Sequence, residues 1–368
     1  MKNQKVGIAS LGLHFPQLAM SMEELAKLRH VDPNKFLTGL GCDKMALCPE
    51  GYNIVDLAAD AAQRALSRWN GDLKDIAMIA TGTESAIDMS RPLSAWVAEK
   101  LGLQGNIRSY EVKHACYGGT LAVRQAVEWL MAGVAPQKAA LIIAADISLY
   151  TPGEPSEATQ GAGAVALIIE KDRPLIAEID PISYPWSKPA FDFWRPVGRA
   201  HPLVEGQFSL HCYEEATREC FQALTQGKDA AEVFNQFVAM CFHTPFPKMV
   251  KKAFFVLGRM YGWEEEVIEK MYATKVDPTM RWNRLCGNAY TAGLWIAVAS
   301  ILCGMPPGKA ISAFSYGSGC GAELLTLKSG VLAEQAAWAK DVEMDLMKRR
   351  YLDANSYEEL RKKQLHEG

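Results

Sequence analysis

Three side chains with nucleophilic or acid–base capacity each follow a short strand-like run. Cys116 lies in "EVKHACYGGTLAVRQAVEWL", between a strand-like run and an amphipathic helical pattern. The N–H groups of a helix's first turn are unpaired and carry partial positive charge. A thiol placed there ionises more easily, and the thiolate is the nucleophile. The same N–H groups suit a developing oxyanion, and Gly118 and Gly119 predict room for a substrate beside the sulfur. A buried cysteine at a tight strand–helix junction has the same local pattern, so spacing alone leaves both readings open.

His243 closes the run "FVAMCFH" and is followed by Pro245 and Pro247, which predict a chain held out of helix there. A histidine at a strand's end suits acid–base work near neutral pH, or a purely structural place. Lys248, Lys251 and Lys252 share a face of the next helical pattern. They read as a solvated surface or as a phosphate clamp. Glu84 follows "IAMIA" and is a base if burial raises its pKa, or else a first-turn acid of the next helix. Asp146, ending "ALIIAAD", reads as a supporting or capping group. In "FSYGSGCGAE" the glycines around Ser318 let backbone come close, to aim an N–H at an oxyanion or to make a tight turn.

The elements that must position these residues alternate. "KVGIASLGL", "IAMIATGTE", "IRSYEVKHA", "AALIIAADI" and "AVALIIE" read as strands, with helical patterns over "NIVDLAADAAQRALSRWN", "SAWVAEKLG" and "GTLAVRQAVEWLMAG" between them. Buried strands alternating with helices predict a layered α/β fold whose strand ends build the reaction crevice. The second half repeats the theme. "PLIAEIDPISY", "FVAMCFHTPF", "AISAFSYGSG" and "GAELLTLK" read as strands, with helices near 208–226, 247–260 and 284–303. The Gly-rich pair "GAGAVALIIE" and "GSGCGAELLTL" suggests a duplicated unit. This gives an N-terminal half over 1–172 carrying Glu84 and Cys116, and a C-terminal half over 173–330 carrying His243, Asn288 and Ser318. A charged helical tail over 331–368 is expected to cover a surface or fray, with no chemistry of its own.

The whole chain limits the function classes. Its 368 residues are 49% hydrophobic, enough for a large core, and its net charge of −3 does not fit a nucleic-acid binder. Nine scattered cysteines without a C-x-x-C predict free thiols in a reducing cytoplasm. The apolar stretch "AYTAGLWIAVASILCGMPP" is short for a membrane span and reads as a core helix; the first apolar run reads as a strand, not a signal peptide. No dinucleotide fingerprint, P-loop or metal-spaced histidine pair occurs.

Taken in order, "GTESAID", "EVKHACYGGT", "EATQGAGAVA", "FDFWRPVG", "CFHTPFPKM", "GNAYTAGLW" and "FSYGSG" resemble the blocks of bacterial 3-hydroxy-3-methylglutaryl-CoA synthases, over about residues 4–325. The resemblance implies a thiolase-type fold, two similar halves in a five-layered αβαβα structure, and a homodimer. It implies a ping-pong condensation with Cys116 as acetyl carrier, Glu84 as base and His243 holding the acceptor. Asn288 would help, and backbone N–H groups of Cys116 and Ser318 would bind the oxyanion. Tyr150 aligns with a pocket tyrosine, and Lys248, Lys251 and Lys252 with basic positions near a pantetheine tunnel. Acetyl-CoA and acetoacetyl-CoA are the implied substrates, with no metal or redox cofactor. The alternative within the family is the polyketide β-branching branch, which uses acyl carrier proteins. Outside it stand a plain thiolase or ketoacyl synthase and an inactive scaffold. The turn after Tyr150, "TPGEPSEATQGAG", departs from the family pattern and is expected to alter one wall of the acceptor pocket.

Overall fold

The computed structural model describes residues 5–135 and 137–366. Nine strands among these residues form one sheet: β1 (Val6–His14), β2 (Ile76–Gly82), β3 (Arg108–Val112), β4 (Ala139–Ser148), β5 (Gly161–Lys171), β6 (Ala177–Ser187), β7 (Phe237–Phe242), β8 (Ala310–Gly317) and β9 (Gly321–Ser329). Their spatial order is β7-β8-β9-β6-β1-β5-β4-β2-β3. Every residue of β1 is buried, as its mostly apolar run predicts for a central strand, and the polar Ser10 and His14 are buried with the rest. The sheet narrows to a seam between β1 and β6, joined by the pairs Gly7–Glu178 and Ile8–Ala177.

Helix α1 (Ile54–Arg68) starts at a reciprocal cap, in which the Asn53 side chain accepts from the Asp56 N–H and the Asp56 side chain from the Asn53 N–H. Its apolar face covers β1, β4 and β5. Helices α2 (Gly118–Met131) and α5 (Gly293–Leu302) each touch strands on both sides of the seam, so they form the middle layer. Helix α3 (Gly206–Thr225) packs on β6, β8 and β9, and α4 (Pro247–Met260) packs on α3. Outer helices, strands, central helices, strands and outer helices make the five expected layers. A smaller sheet pairs Leu18–Ser21 with Lys44–Leu47 and with Arg350–Tyr351 near the C-terminus.

Two local expectations need correction. Pro247 does not hold the chain out of helix; it starts α4, where its missing N–H would be unpaired anyway. The single helix expected near 284–303 is broken. Asn283–Cys286 ends at Gly287, whose φ of +73° suits glycine, and α5 starts only at Gly293. Asn288 sits in that break.

Strand direction decides which loops meet. β2 runs parallel to both β3 and β4, with Gly82 beside Val112 and Ala144. Glu84 and Cys116, just past β2 and β3, and Asp146, near the end of β4, therefore come together. β7 runs parallel to β8, so His243 and Ser318 emerge together as well.

Candidate active site

Glycines bring the two pairs of strand ends into contact. A Cβ at Gly317 would lie 2.4 Å from the His114 carbonyl oxygen and 2.6 Å from the Tyr117 nitrogen, so the β8 turn presses directly on the Cys116 loop. Gly118 and Gly119 serve packing as well, not substrate room. A Cβ at Gly119 would lie 2.7 Å from both Ala144 Cβ and Thr291 Oγ1, and one at Gly82 would lie 2.2 Å from the Gly119 nitrogen. The glycines let the start of α2 sit on the sheet with no side-chain layer between.

Cys116 then donates its thiol hydrogen to Glu84 Oε1 at 3.1 Å. Burial, and next the charge of Asp146, push the Glu84 carboxyl up to about 8. Asp146 stands behind it, accepting from Thr83 Oγ1 (3.0 Å), the Glu84 N–H (2.7 Å), Ser85 Oγ (2.8 Å) and the Thr291 N–H (3.1 Å). These donors oppose the burial that raises Asp146 to about 6. Two adjacent carboxyls in one enclosed site titrate as a pair. The Arg195 guanidinium donates to the Glu84 carbonyl oxygen.

The thiol is not the easily ionised group expected at a helix start. Burial raises its pKa well above the ordinary thiol value, and the Glu84 charge raises it further. Cys116 stands two residues ahead of α2, and the Gly119 N–H is already given to Thr291 Oγ1 at 2.6 Å. The helix does not ionise this thiol; Glu84 is the base within reach of its proton, and the Glu84 charge also keeps the resting thiol protonated. The Glu84 carboxylate is likewise not a first-turn acid, because the next helix starts at Leu93.

Cys116 opens into a cavity of about 810 Å³ also lined by Tyr150, His243, Lys252, Asn288, Tyr290 and Ser318. His243 is buried, which lowers its pKa to about 3 and leaves it neutral at pH 7. Its Nδ1 is buried without a hydrogen-bond partner among the described residues and lies against Gly293. Nε2 is then the ring nitrogen free to meet a bound group, and in the tautomer protonated there it is a hydrogen-bond donor. Tyr213 holds the backbone by donating to the His243 carbonyl at 2.7 Å. Asn288 is fixed on three sides: its N–H donates to Thr159 O (3.0 Å), its carbonyl accepts from Ser148 Oγ (2.7 Å), and its Oδ1 accepts from the Tyr290 N–H (2.9 Å).

Among the three lysines, Lys252 lines the cavity. Lys248 is exposed and outside the lining, and Lys251 pairs with Glu269 at 2.8 Å. The shared helix face is real, but only one of its lysines reaches the cavity. Sequence reasoning passed over Thr291 and Arg195. Both fall within the quoted blocks "GNAYTAGLW" and "FDFWRPVG", but nothing in their spacing singles them out. Thr291 links Asp146 to the first turn of α2, and Arg195 reaches Glu84 from more than a hundred residues away.

The chain matches two family models, hydroxymethylglutaryl-coenzyme A synthase N terminal over residues 2–174 and the C-terminal model over 179–262 and 264–367. It is 34% identical to the hydroxymethylglutaryl-CoA synthase of Enterococcus faecalis, over 87% of this chain and 82% of that protein. The cytoplasmic human hydroxymethylglutaryl-CoA synthase is 31% identical over 88% of this chain and 71% of its own length. Among solved structures, MvaS in complex with 3-hydroxy-3-methylglutaryl coenzyme A superposes with a TM-score of 0.91 at 34% identity, covering 98% of this chain and 92% of that one. The curacin pathway HMG synthase in complex with acetyl donor-ACP superposes with a TM-score of 0.90 at 28% identity, covering 97% and 88%. A nucleophile–base pair at the ends of parallel strands, two matching family models and these superpositions place the chain in the hydroxymethylglutaryl-CoA synthase family, acyltransferases of thiolase-type fold.

Proposed function

We propose that this protein is a 3-hydroxy-3-methylglutaryl synthase that condenses an acetyl thioester with a 3-oxoacyl thioester such as acetoacetyl-CoA. The observation that carries the reading is the 3.1 Å hydrogen bond from Cys116 Sγ to Glu84 Oε1 on the wall of a cavity shared with His243 and Asn288. Glu84 takes the thiol proton as sulfur attacks the acetyl carbonyl. The carbon–sulfur bond to the donor breaks, and the leaving thiolate takes up a proton. Splitting the reaction at a covalent acetyl-enzyme divides one hard condensation into two easier steps.

Glu84, again a carboxylate, then removes a methyl proton from acetyl-Cys116. The enolate carbon attacks the acceptor ketone. Neutral His243 donates from Nε2 to the ketone oxygen as negative charge develops there, and Asn288 assists. Backbone N–H groups of Cys116 and Ser318 receive the thioester oxygen. Water finally releases the product from sulfur. A carboxyl poised near 8 suits a group that must lose and gain a proton within one cycle. Lys252 is the lysine placed to meet a carrier's phosphate. Nine free cysteines suit the reducing cytoplasm, and a homodimer is the expected assembly.

Intact-protein mass during incubation with acetyl-CoA tests the reading. Wild type gains one acetyl group, and Cys116→Ala, which deletes the sulfur alone, gains none. Acetylation that persists in Cys116→Ala overturns the assignment. Acetylation by an acetyl-loaded carrier protein, and not by acetyl-CoA, moves the chain to the carrier-linked branch with the same catalytic residues.

A further inference from the structure

One wall of the cavity is built by the loop from Leu149 to Gln160, whose Tyr150, Thr151, Glu154, Pro155, Ser156 and Thr159 all line it. The loop includes "TPGEPSEATQ", the stretch expected from sequence to alter the acceptor pocket. On its side away from the cavity the loop is supported by hydrogen bonds. That support comes from the C-terminal helix Ala354–His366, the segment expected from sequence to carry no chemistry.

Two of its side chains are buried behind the loop, Tyr357 at 0% exposure and Arg361 at 1%. A buried guanidinium is unfavourable unless its hydrogens are used. Two of the Arg361 nitrogens are used, one donating to the Tyr150 carbonyl at 2.6 Å and one to Gln364 Oε1 at 2.8 Å, while its Nε has no partner among the described residues. Tyr357 donates to Glu157 Oε1 at 2.8 Å and accepts from Gln160 Nε2 at 2.5 Å. Glu157 in turn accepts from the Gly153 N–H at 3.0 Å and forms a two-bond pair with Arg29, both at 2.7 Å. Arg29 also pairs with Glu358 of the helix at 2.7 Å. Both ends of the loop and its middle are thus held from the tail. The loop's end reaches the reaction centre directly, because the Thr159 carbonyl accepts the Asn288 N–H.

We propose that Tyr357 and Arg361 are positioning residues that set the acceptor wall of the cavity through Tyr150, Glu157 and Gln160. Asp146 takes its hydrogen bonds from Thr83, Ser85, Thr291 and the Glu84 N–H, and Cys116 bonds to Glu84, so among the described residues none of the three is bonded to the tail. Loosening the tail therefore acts on acceptor placement and leaves the acetyl-transfer half intact. The kinetic half of this inference rests on the function proposed above; the structural half does not.

The test uses full-length Tyr357→Phe, Arg361→Met and Arg361→Lys. Hydrogen exchange of peptides over 149–160 is compared with that over 112–117. Acetylation of Cys116 is timed by mass, and condensation is followed with acetoacetyl-CoA as the probe. Tyr357→Phe keeps the ring and removes one hydroxyl, so it preserves the packing of the helix. In Tyr357→Phe and Arg361→Met, exchange rises over 149–160 and stays unchanged over 112–117. Acetylation stays within about twofold, and kcat/KM for the acceptor falls about tenfold, mostly through KM. Arg361→Lys recovers part of that loss. Unchanged exchange over 149–160, equal losses in both half-reactions, or no difference between Arg361→Met and Arg361→Lys overturns the proposal. If wild type itself fails to acetylate, the functional reading fails and the exchange comparison alone decides the positioning claim.

Discussion

Replacing Glu84 with Gln separates the two tasks of one carboxyl. Gln keeps the shape and an oxygen able to accept from the thiol, but it can neither take a proton nor carry charge. Burial and Asp146 place the wild-type pKa at about 8. The carboxylate needed for methyl-proton removal is then about one tenth populated at pH 7 and half populated at pH 8. Condensation in wild type should rise about fivefold across that unit, and this limb should vanish in Glu84→Gln. Loss of the general base lowers condensation by about 10²- to 10⁴-fold, or about 3–5 kcal/mol of barrier. The thiol moves the other way. The Glu84 charge is one of the causes raising the Cys116 pKa, so its removal lowers that pKa. Alkylation of Cys116 by iodoacetamide between pH 7 and 9 should become faster while condensation collapses. Stopped-flow condensation and timed alkylation, each against pH, measure both. A Glu84→Gln enzyme with a retained pH limb near 8, or with a thiol no more reactive than wild type, refutes the reasoning. Stability adds a signed check. The folded pKa of Glu84 lies above its ordinary 4.5, so its favourable contribution is full below about 4.5 and lost as pH rises through about 8. Glu84→Gln should melt higher than wild type at pH 9 and show a smaller gain at pH 5.

His243→Ala should depress condensation about 10²-fold while Cys116 acetylation, timed by mass, changes less than about threefold; equal losses would assign His243 a structural role. Gly317→Ala forces a Cβ against the His114 carbonyl and Tyr117 nitrogen, so it should lower the unfolding free energy by about 1–3 kcal/mol and slow acetylation. Denaturant melts and acetylation rates check both effects. Asp345 accepts from Arg64 at 2.6 and 2.7 Å and from the Phe15 N–H at 3.0 Å, with His14 Nδ1 3.1 Å away, and these partners bring its carboxyl down to about 2 against the opposing effect of burial. Its stabilisation is present above its ordinary value of 3.8 and fades as pH falls toward 2. Asp345→Asn should therefore lose about 3 kcal/mol at pH 7 and markedly less at pH 2.5, read by urea melts.

Much of the site was readable from residue types and order. Glu84, Cys116 and His243 each end a strand-like run, and β-strand ends are where a layered α/β fold exposes chemistry. The layered architecture was readable for a similar reason, because strands buried on both faces carry mostly apolar runs such as β1. The state of the groups was not. A cysteine near a helix start suggests a lowered pKa, but the thiol's surroundings are set by burial and by Glu84, which reaches it through the parallel pairing of β2 and β3. Gly118 and Gly119 looked like room for substrate because sequence marks where a side chain is missing, not what fills the space. Lys248, Lys251 and Lys252 share a face by helical periodicity, which is local; which of them meets a cavity depends on what packs beside that helix. Tyr357 and Arg361 lay in a tail that composition alone describes as charged and helical. Their partners stand some two hundred residues earlier in the chain. Local sequence determined elements, strand-end chemistry and family. Burial, charge proximity and long-range hydrogen bonds were decided only by the tertiary structure, because each is a property of neighbours that the chain brings together by folding.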